Sequence, residues 1–148
     1  LPLSAYTKEN FFKLFLFDVG LLGALSRLSP KSILDYDYGS YKGYFAENFV
    51  MTEMKSVGLQ NIYSWRGRNS EIEFIQKTLE NEIIPIEVKS GSRTAAKSLK
   101  VYMDKYSPKR TLKLVGAVGG ADKTNMVLPL YYAAPIIKKL CVGENKIT

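Results

Sequence analysis

Glu87 and Lys89 stand two residues apart in Ile84-Pro85-Ile86-Glu87-Val88-Lys89-Ser90-Gly91, where Ile84, Ile86 and Val88 alternate with Pro85, Glu87 and Lys89. Period-2 alternation marks a strand with two unlike faces, so this carboxylate and ammonium project from the same side. Two chemistries suit such a pair. One is a salt bridge on an exposed strand; the other is a metal ligand beside a cation that handles a water or a phosphate. Further carboxylates bear on the choice. Glu71-Ile72-Glu73-Phe74-Ile75 alternates too, which predicts Glu71 and Glu73 on one face and Ile72 and Phe74 on the other. If Glu73 pairs across from Glu87, both carboxylates and Lys89 share a face; a register one residue off separates them. Glu47 falls inside the apolar arc Ala46, Val50, Met51, Met54 and Val57 of a helix, whereas Glu53 falls outside it. A carboxylate there either reaches solvent at the arc's edge or needs a partner. Two carboxylates about 5 Å apart repel by roughly 3 kcal/mol at an effective dielectric near 20. Three of them require a metal, a proton or Lys89.

The elements that position these residues follow from the chain's punctuation. Phe12 to Phe17 is dense in strand formers and ends at Asp18 and Gly20, which predicts a strand. Leu21 to Leu28 has helical spacing and stops at Ser29-Pro30. Asp35-Tyr36-Asp37-Tyr38-Gly39-Ser40-Tyr41 reads as a loop whose tyrosines either pack locally or stack on bases. A helix over 44–57 ends at Gly58, and strands follow at 62–66, 71–75 and 84–88. A second helix spans 94–106, with Ala95, Leu99, Tyr102, Met103 and Tyr106 as its core stripe and Ser107-Pro108 as its stop. Lys97, Lys100, Lys105, Lys109 and Arg110 decorate its outer faces and its exit, as a solvated basic surface or a phosphate-tracking one. Two more strands, 112–116 and 126–131, flank a Gly-rich turn, and 141–148 reads as a frayed tail.

Composition narrows the function classes. A chain of 148 residues with 46% hydrophobic and 24% charged residues is globular and suits one domain. The absence of His excludes His-based triads, His acid–base catalysis and His-ligated zinc. The single Cys141 excludes an internal disulfide and suits a reducing, cytoplasmic setting. No apolar run reaches the length of a membrane span and no signal peptide is visible. A net charge of +7 is compatible with a polyanionic partner. The start at Leu1-Pro2-Leu3 rather than Met suggests a piece cut from a longer protein.

The order of elements is helix with Glu47, strand, strand with Glu73, strand with Glu87 and Lys89, helix, strand. That order and those residues resemble the PD-(D/E)XK nuclease superfamily. More narrowly, the chain is similar to the DUF4143 domain found at the C-terminus of prokaryotic AAA+ ATPases. The resemblance rests on Phe17-Asp18-Val19-Gly20-Leu21-Leu22, Tyr44-Phe45-Ala46-Glu47-Asn48-Phe49-Val50, Tyr63-Ser64-Trp65-Arg66, Ser70-Glu71-Ile72-Glu73-Phe74 and Ile84 to Gly91, which span nearly the whole chain. It implies an α/β fold with a restriction-endonuclease-like αβββαβ core, a central mixed sheet flanked by helices.

The resemblance also implies roles. Glu73 and Glu87 would bind Mg2+ or Mn2+, with the backbone carbonyl of Val88 as a third ligand. Lys89 would orient the attacking water or stabilise charge on the phosphate, and Glu47 would support a second metal or a metal-bound water. Arg66, Arg68, Lys97 and Lys100 are the candidates for contact with DNA. Position 73 carries Glu where the family usually has Asp, and Ser98 and Tyr102 stand where related nucleases often have Gln-x-x-x-Tyr. No Walker A motif occurs, so an accompanying ATPase would lie upstream. A catalytically silent nuclease fold, serving its ATPase as a DNA- or protein-recognition module, is the alternative the same residues allow.

Overall fold

A computed structural model describes residues 2–8, 10–35, 37–91, 97–117, 120–121 and 124–143. Three short helices precede the sheet: α1 (Val19–Leu25), α2 (Pro30–Leu34) and the longer α3 (Lys42–Ser56). Local chemistry sets their ends. Asp18 accepts the Leu21 N–H at 2.7 Å, and Ser29 accepts the Ser32 N–H at 3.0 Å just before Pro30 at the first helical position. Ser29-Pro30 thus opens a helix rather than merely closing one. Gly58, at φ +93°, turns the chain away after α3.

The sheet runs in the order β1 (Tyr63–Arg66), β2 (Glu71–Lys77), β3 (Ile83–Lys89), β4 (Thr111–Val115), β6 (Asn125–Pro129), with the two-residue β5 (Gly120–Ala121) at its edge. β1, β2 and β3 are antiparallel, β3–β4 and β4–β6 are parallel, and β5 pairs antiparallel with β6. The sheet is therefore mixed. α4 (Lys97–Tyr106) makes the crossover between β3 and β4, as a parallel pair requires. Positions 94–96 of the expected helix, including Ala95, lie outside the described residues.

Helices cover both faces. Ile84, Ile86 and Val88 of β3 pack with Phe74, with Ala46, Val50 and Met54 of α3, and with Ala133 and Ile137 of α5 (Ala133–Ile137). On the other face Ile72, Ile75 and Ile83 pack with Leu99 and Tyr102 of α4. The alternation expected for β3 holds, and it sends Glu87 to the α4 side.

Three expectations differ from the structure. Phe12–Phe17 forms no strand: the N–H and C=O of Leu16 are both taken by the side-chain amide of Asn48, at 2.8 and 2.9 Å, so a side chain replaces a neighbouring strand. Ile72 and Phe74 lie on opposite faces rather than one. The β1–β2 register steps from Tyr63↔Ile75 to Trp65↔Ile72, two residues against three, and such a bulge breaks the alternation. The chain after β6 is helical, through α5 and a π-type turn at Lys138–Val142, so Cys141 packs against the core where a frayed tail was expected. Residues 144–148 of that expected tail lie outside the described residues.

Candidate functional site

The β2–β3 ladder has its last rung at Phe74↔Ile86, one step short of Glu73 and Glu87. The two carboxylates therefore face each other where the hairpin opens. Glu73 sits in the irregular stretch of β2 and turns back on the ladder: its Oε2 accepts the Val88 N–H at 3.1 Å. Lys89 closes the cluster, with its Nζ 2.6 Å from Glu87 Oε1 and 3.8 Å from Glu73 Oε1. Glu87 is 1% exposed, and its Oε2 is fully buried with no hydrogen-bond partner. Leaving a carboxylate oxygen in that state costs far more than leaving an amide, so the arrangement suits a further cation or proton donor.

Burial is the largest effect on Glu73, and the Glu87 charge adds to it. Together they raise its pKa to about 7, against the Val88 N–H and the Lys89 ammonium, which pull it down. Burial works against the charged amine of Lys89. The hydrogen bond that Lys89 donates to Glu87 and the charges of Glu87, Glu73 and Glu47 outweigh it, so the net direction is upward. Lys89 thus feels all three carboxylates proposed from sequence.

Glu47 enters from α3 by another route. Its Oε2 lies 3.1 Å from the Nζ of Lys13, which also meets Glu71 Oε1 at 2.5 Å. For Lys13 too, burial opposes the charge, and the pairs with Glu71 and Glu47 more than offset it, raising its pKa. Glu47, Glu71, Glu73 and Lys13 line a cleft of about 900 Å³ together with Tyr41 and Tyr44. Glu73 is shared between this cleft and the buried cluster it forms with Glu87 and Lys89, which do not line the cleft.

Lys13, Glu71 and Asn48 were not singled out from sequence as site residues. Glu71 was legible as a face-mate of Glu73. Lys13 was not, because it lies 34 residues before Glu47 and inside a segment read as a strand. Ser98 accepts the Glu71 N–H at 3.3 Å, tying α4 to the site. Tyr102 does not reach it. Its ring packs edge-on against Trp65 at 5.2 Å and tilted against Tyr106 at 4.7 Å.

The basic candidates scatter. Arg66 lies over the Phe11 ring at 5.3 Å, and Arg68 is exposed in the β1–β2 turn. Lys97 is exposed in the first turn of α4, while Lys100 lines a separate groove with Thr111 and Met126. Arg110 and Lys109 are engaged at the far end of the sheet by Glu80 and Glu82. Burial raises the Cys141 thiol to about 11, only partly countered by Arg110, so it offers no thiolate nucleophile at neutral pH.

Among the described residues, no group of three or more acidic, Cys or His side chains is arranged to hold a metal. Two carboxylates are nonetheless a sufficient protein contribution for magnesium, which keeps several waters. Hard oxygen donors and one buried, unpartnered oxygen fit that ion. Among the described residues, no helix is long and apolar enough to cross a membrane.

A mixed α/β fold with an acidic cluster at the open end of a hairpin defines the class. The family described as a domain of unknown function, DUF4143, matches residues 42–132, and the chain belongs to that family. The match runs from the first turn of α3 to the turn after β6 and so contains Glu47, Glu73, Glu87 and Lys89. Neither the curated proteins nor the solved structures contain a match to this chain.

Proposed function

We propose that the domain is a metal-dependent, nuclease-like module that binds DNA and places a phosphodiester at Glu47, Glu73, Glu87 and Lys89. The observation that carries this reading is the unpartnered Oε2 of the buried Glu87 beside Glu73, whose pKa stands near 7. The cluster is short of positive charge on its buried side. Glu73 and Glu87 would hold Mg2+ or Mn2+, with the Val88 carbonyl as a further donor. Such an ion would supply Lewis-acid stabilisation of phosphate charge. Lys89, once drawn off Glu87, would neutralise a phosphate oxygen or orient the attacking water, and Glu47 would support a second metal or a metal-bound water. The sequence of elements from α3 to β4 supports a restriction-endonuclease-like core, and the resemblance to domains downstream of AAA+ ATPases supports delivery to DNA by such an ATPase.

Thermal unfolding with and without millimolar Mg2+ or Mn2+ tests the metal. At 100 times its dissociation constant a ligand stabilises by roughly 2.7 kcal/mol, a shift on the order of 5–10 °C for a domain of this size. Wild type should show the rise and Glu87→Ala should not. A Mn2+-dependent nicking assay on a labelled oligonucleotide, lost in Glu87→Ala and Lys89→Ala, tests cleavage. Indifference of wild type to both metals would sink the nuclease claim.

One observation favours a second reading. Lys13 and Lys89 already stand between Glu47 and Glu71 and between Glu73 and Glu87. Two internal ammonium groups in cation positions are what a catalytically silent recognition module would retain. DNA binding without metal response or nicking is its signature.

A further inference from the structure

We infer that the nucleic acid this site takes is a single strand with unpaired bases, held by the rings of Tyr41 and Tyr44. The inference rests on the DNA-binding reading above and adds the class of substrate. Tyr44 stands three residues before Glu47 on α3, and Tyr41 three before that, just ahead of the helix. Residues three apart share a helix face, with a rise of about 4.5 Å between them. Both rings line the cleft that Glu47, Glu71 and Glu73 line. Tyr102, packed on Trp65 and Tyr106, is 5% exposed, and the exposed Tyr106, Tyr131 and Tyr132 each lie against another ring. Tyr44 is 66% exposed and Tyr41 47%, and neither stacks on another ring among the described residues.

An exposed ring one helical turn from an acidic cluster offers a platform about one nucleotide from the cluster. Bases inside a duplex present their faces to each other, not to a protein ring. A single strand presents them freely, and stacking on tyrosine is tolerant of sequence. The cleft has a volume of about 900 Å³, room enough for an unstacked base beside the rings. Lys13, which lines the same cleft, is the cation nearest the rings' side of the acidic residues. The apolar wall and the acidic floor then have distinct tasks: base on ring, phosphate at the carboxylates.

Fluorescence anisotropy with a labelled 20-mer of thymidine, the same-length duplex, and a 20-mer with abasic sites in place of bases tests this at low salt. Wild type should bind the thymidine strand at least tenfold tighter than the abasic strand or the duplex. Tyr44→Ala should lose about tenfold on the thymidine strand and nothing on the abasic strand, while Tyr44→Phe keeps the wild-type value. Because Tyr44 is exposed, unchanged thermal unfolding of the alanine variant confirms an intact fold. Equal affinity for all three probes, or a Tyr44→Ala variant that binds the thymidine strand as wild type does, would overturn the inference and leave the DNA-binding reading standing. Failure to bind any probe would remove both.

Discussion

Glu73 carries the site's clearest pH signature. Its ordinary pKa of 4.5 becomes about 7 in the folded chain. Between those values the native state keeps a proton that the unfolded chain has released, so stability falls as pH rises from about 4.5 to about 7. Above that it levels off, with a total cost on the order of 3 kcal/mol. Glu73→Gln should remove that slope while still accepting the Val88 N–H. Urea unfolding of wild type and variant at pH 5 and pH 8 checks this. The variant should gain relative to wild type at pH 8, and equal pH responses would show that Glu73 ionises without penalty.

At the scale of elements, the segment before α1 is held over the site by few bonds. Lys13 reaches Glu47 and Glu71, and Asn48 clasps Leu16. Asn48→Ala leaves two backbone groups without their partner, which should cost about 1–3 kcal/mol. Chymotrypsin should then cut at the exposed Phe11, Phe12 and Phe17 faster than in wild type; an unchanged cleavage rate would mean the segment is secured elsewhere. The opposite wall of the site depends on Gly116. Its N–H donates to the Lys89 carbonyl at 2.9 Å, and a Cβ there would stand 2.1 Å from the Ser90 carbonyl oxygen. Gly116→Ala should therefore push the end of β3 outward, lowering stability by about 1–3 kcal/mol and weakening any metal response with Lys89. A variant of normal stability and normal metal response would show that this strand end yields freely.

These elements also show what the sequence can disclose. Alternation disclosed β3 and the shared side of Glu87 and Lys89, because a strand's period of 2 survives in residue types. The meeting of Glu73 with Glu87 depends on register, and the facing of Ile72 depends on a bulge; neither leaves a mark in composition. The segment from Phe12 to Phe17 has strand-like residues, yet one buried Asn elsewhere decides its backbone partner. Lys13 could not be found, since only tertiary structure carries it to Glu47.

For the whole molecule, the proposed DNA binding divides the tasks: the balance of charge would set affinity and the cluster position. If the domain binds nucleic acid as proposed, the site's carboxylates repel phosphate and the attraction has to come from other cations; Arg66, Arg68 and Lys97 form no ion pair among the described residues. Binding to a single strand should weaken linearly in the logarithm of salt, with a slope of about 0.7 per phosphate contact. Arg66→Ala combined with Arg68→Ala should reduce that slope by about 1 to 1.5. An affinity indifferent to salt would place the recognition surface away from these residues.

The order in which the sheet is assembled bears on when the carboxylates first meet. β2 and β3 are joined by a tight turn through Asn81, at φ +62°, so their pairing is local in the chain. β4 reaches β3 only after α4 has crossed the sheet. Hairpins close in about 1–10 μs, whereas parallel pairing waits on loop closure. Glu73 and Glu87 are therefore expected to come together early, before the helices shut water out. Lys89 belongs to the same strand as Glu87 and arrives with it, so the nascent hairpin carries its own counter-charge. The hairpin is therefore expected to form without metal, and an ion held as proposed would meet a Lys89 already seated on Glu87 Oε1.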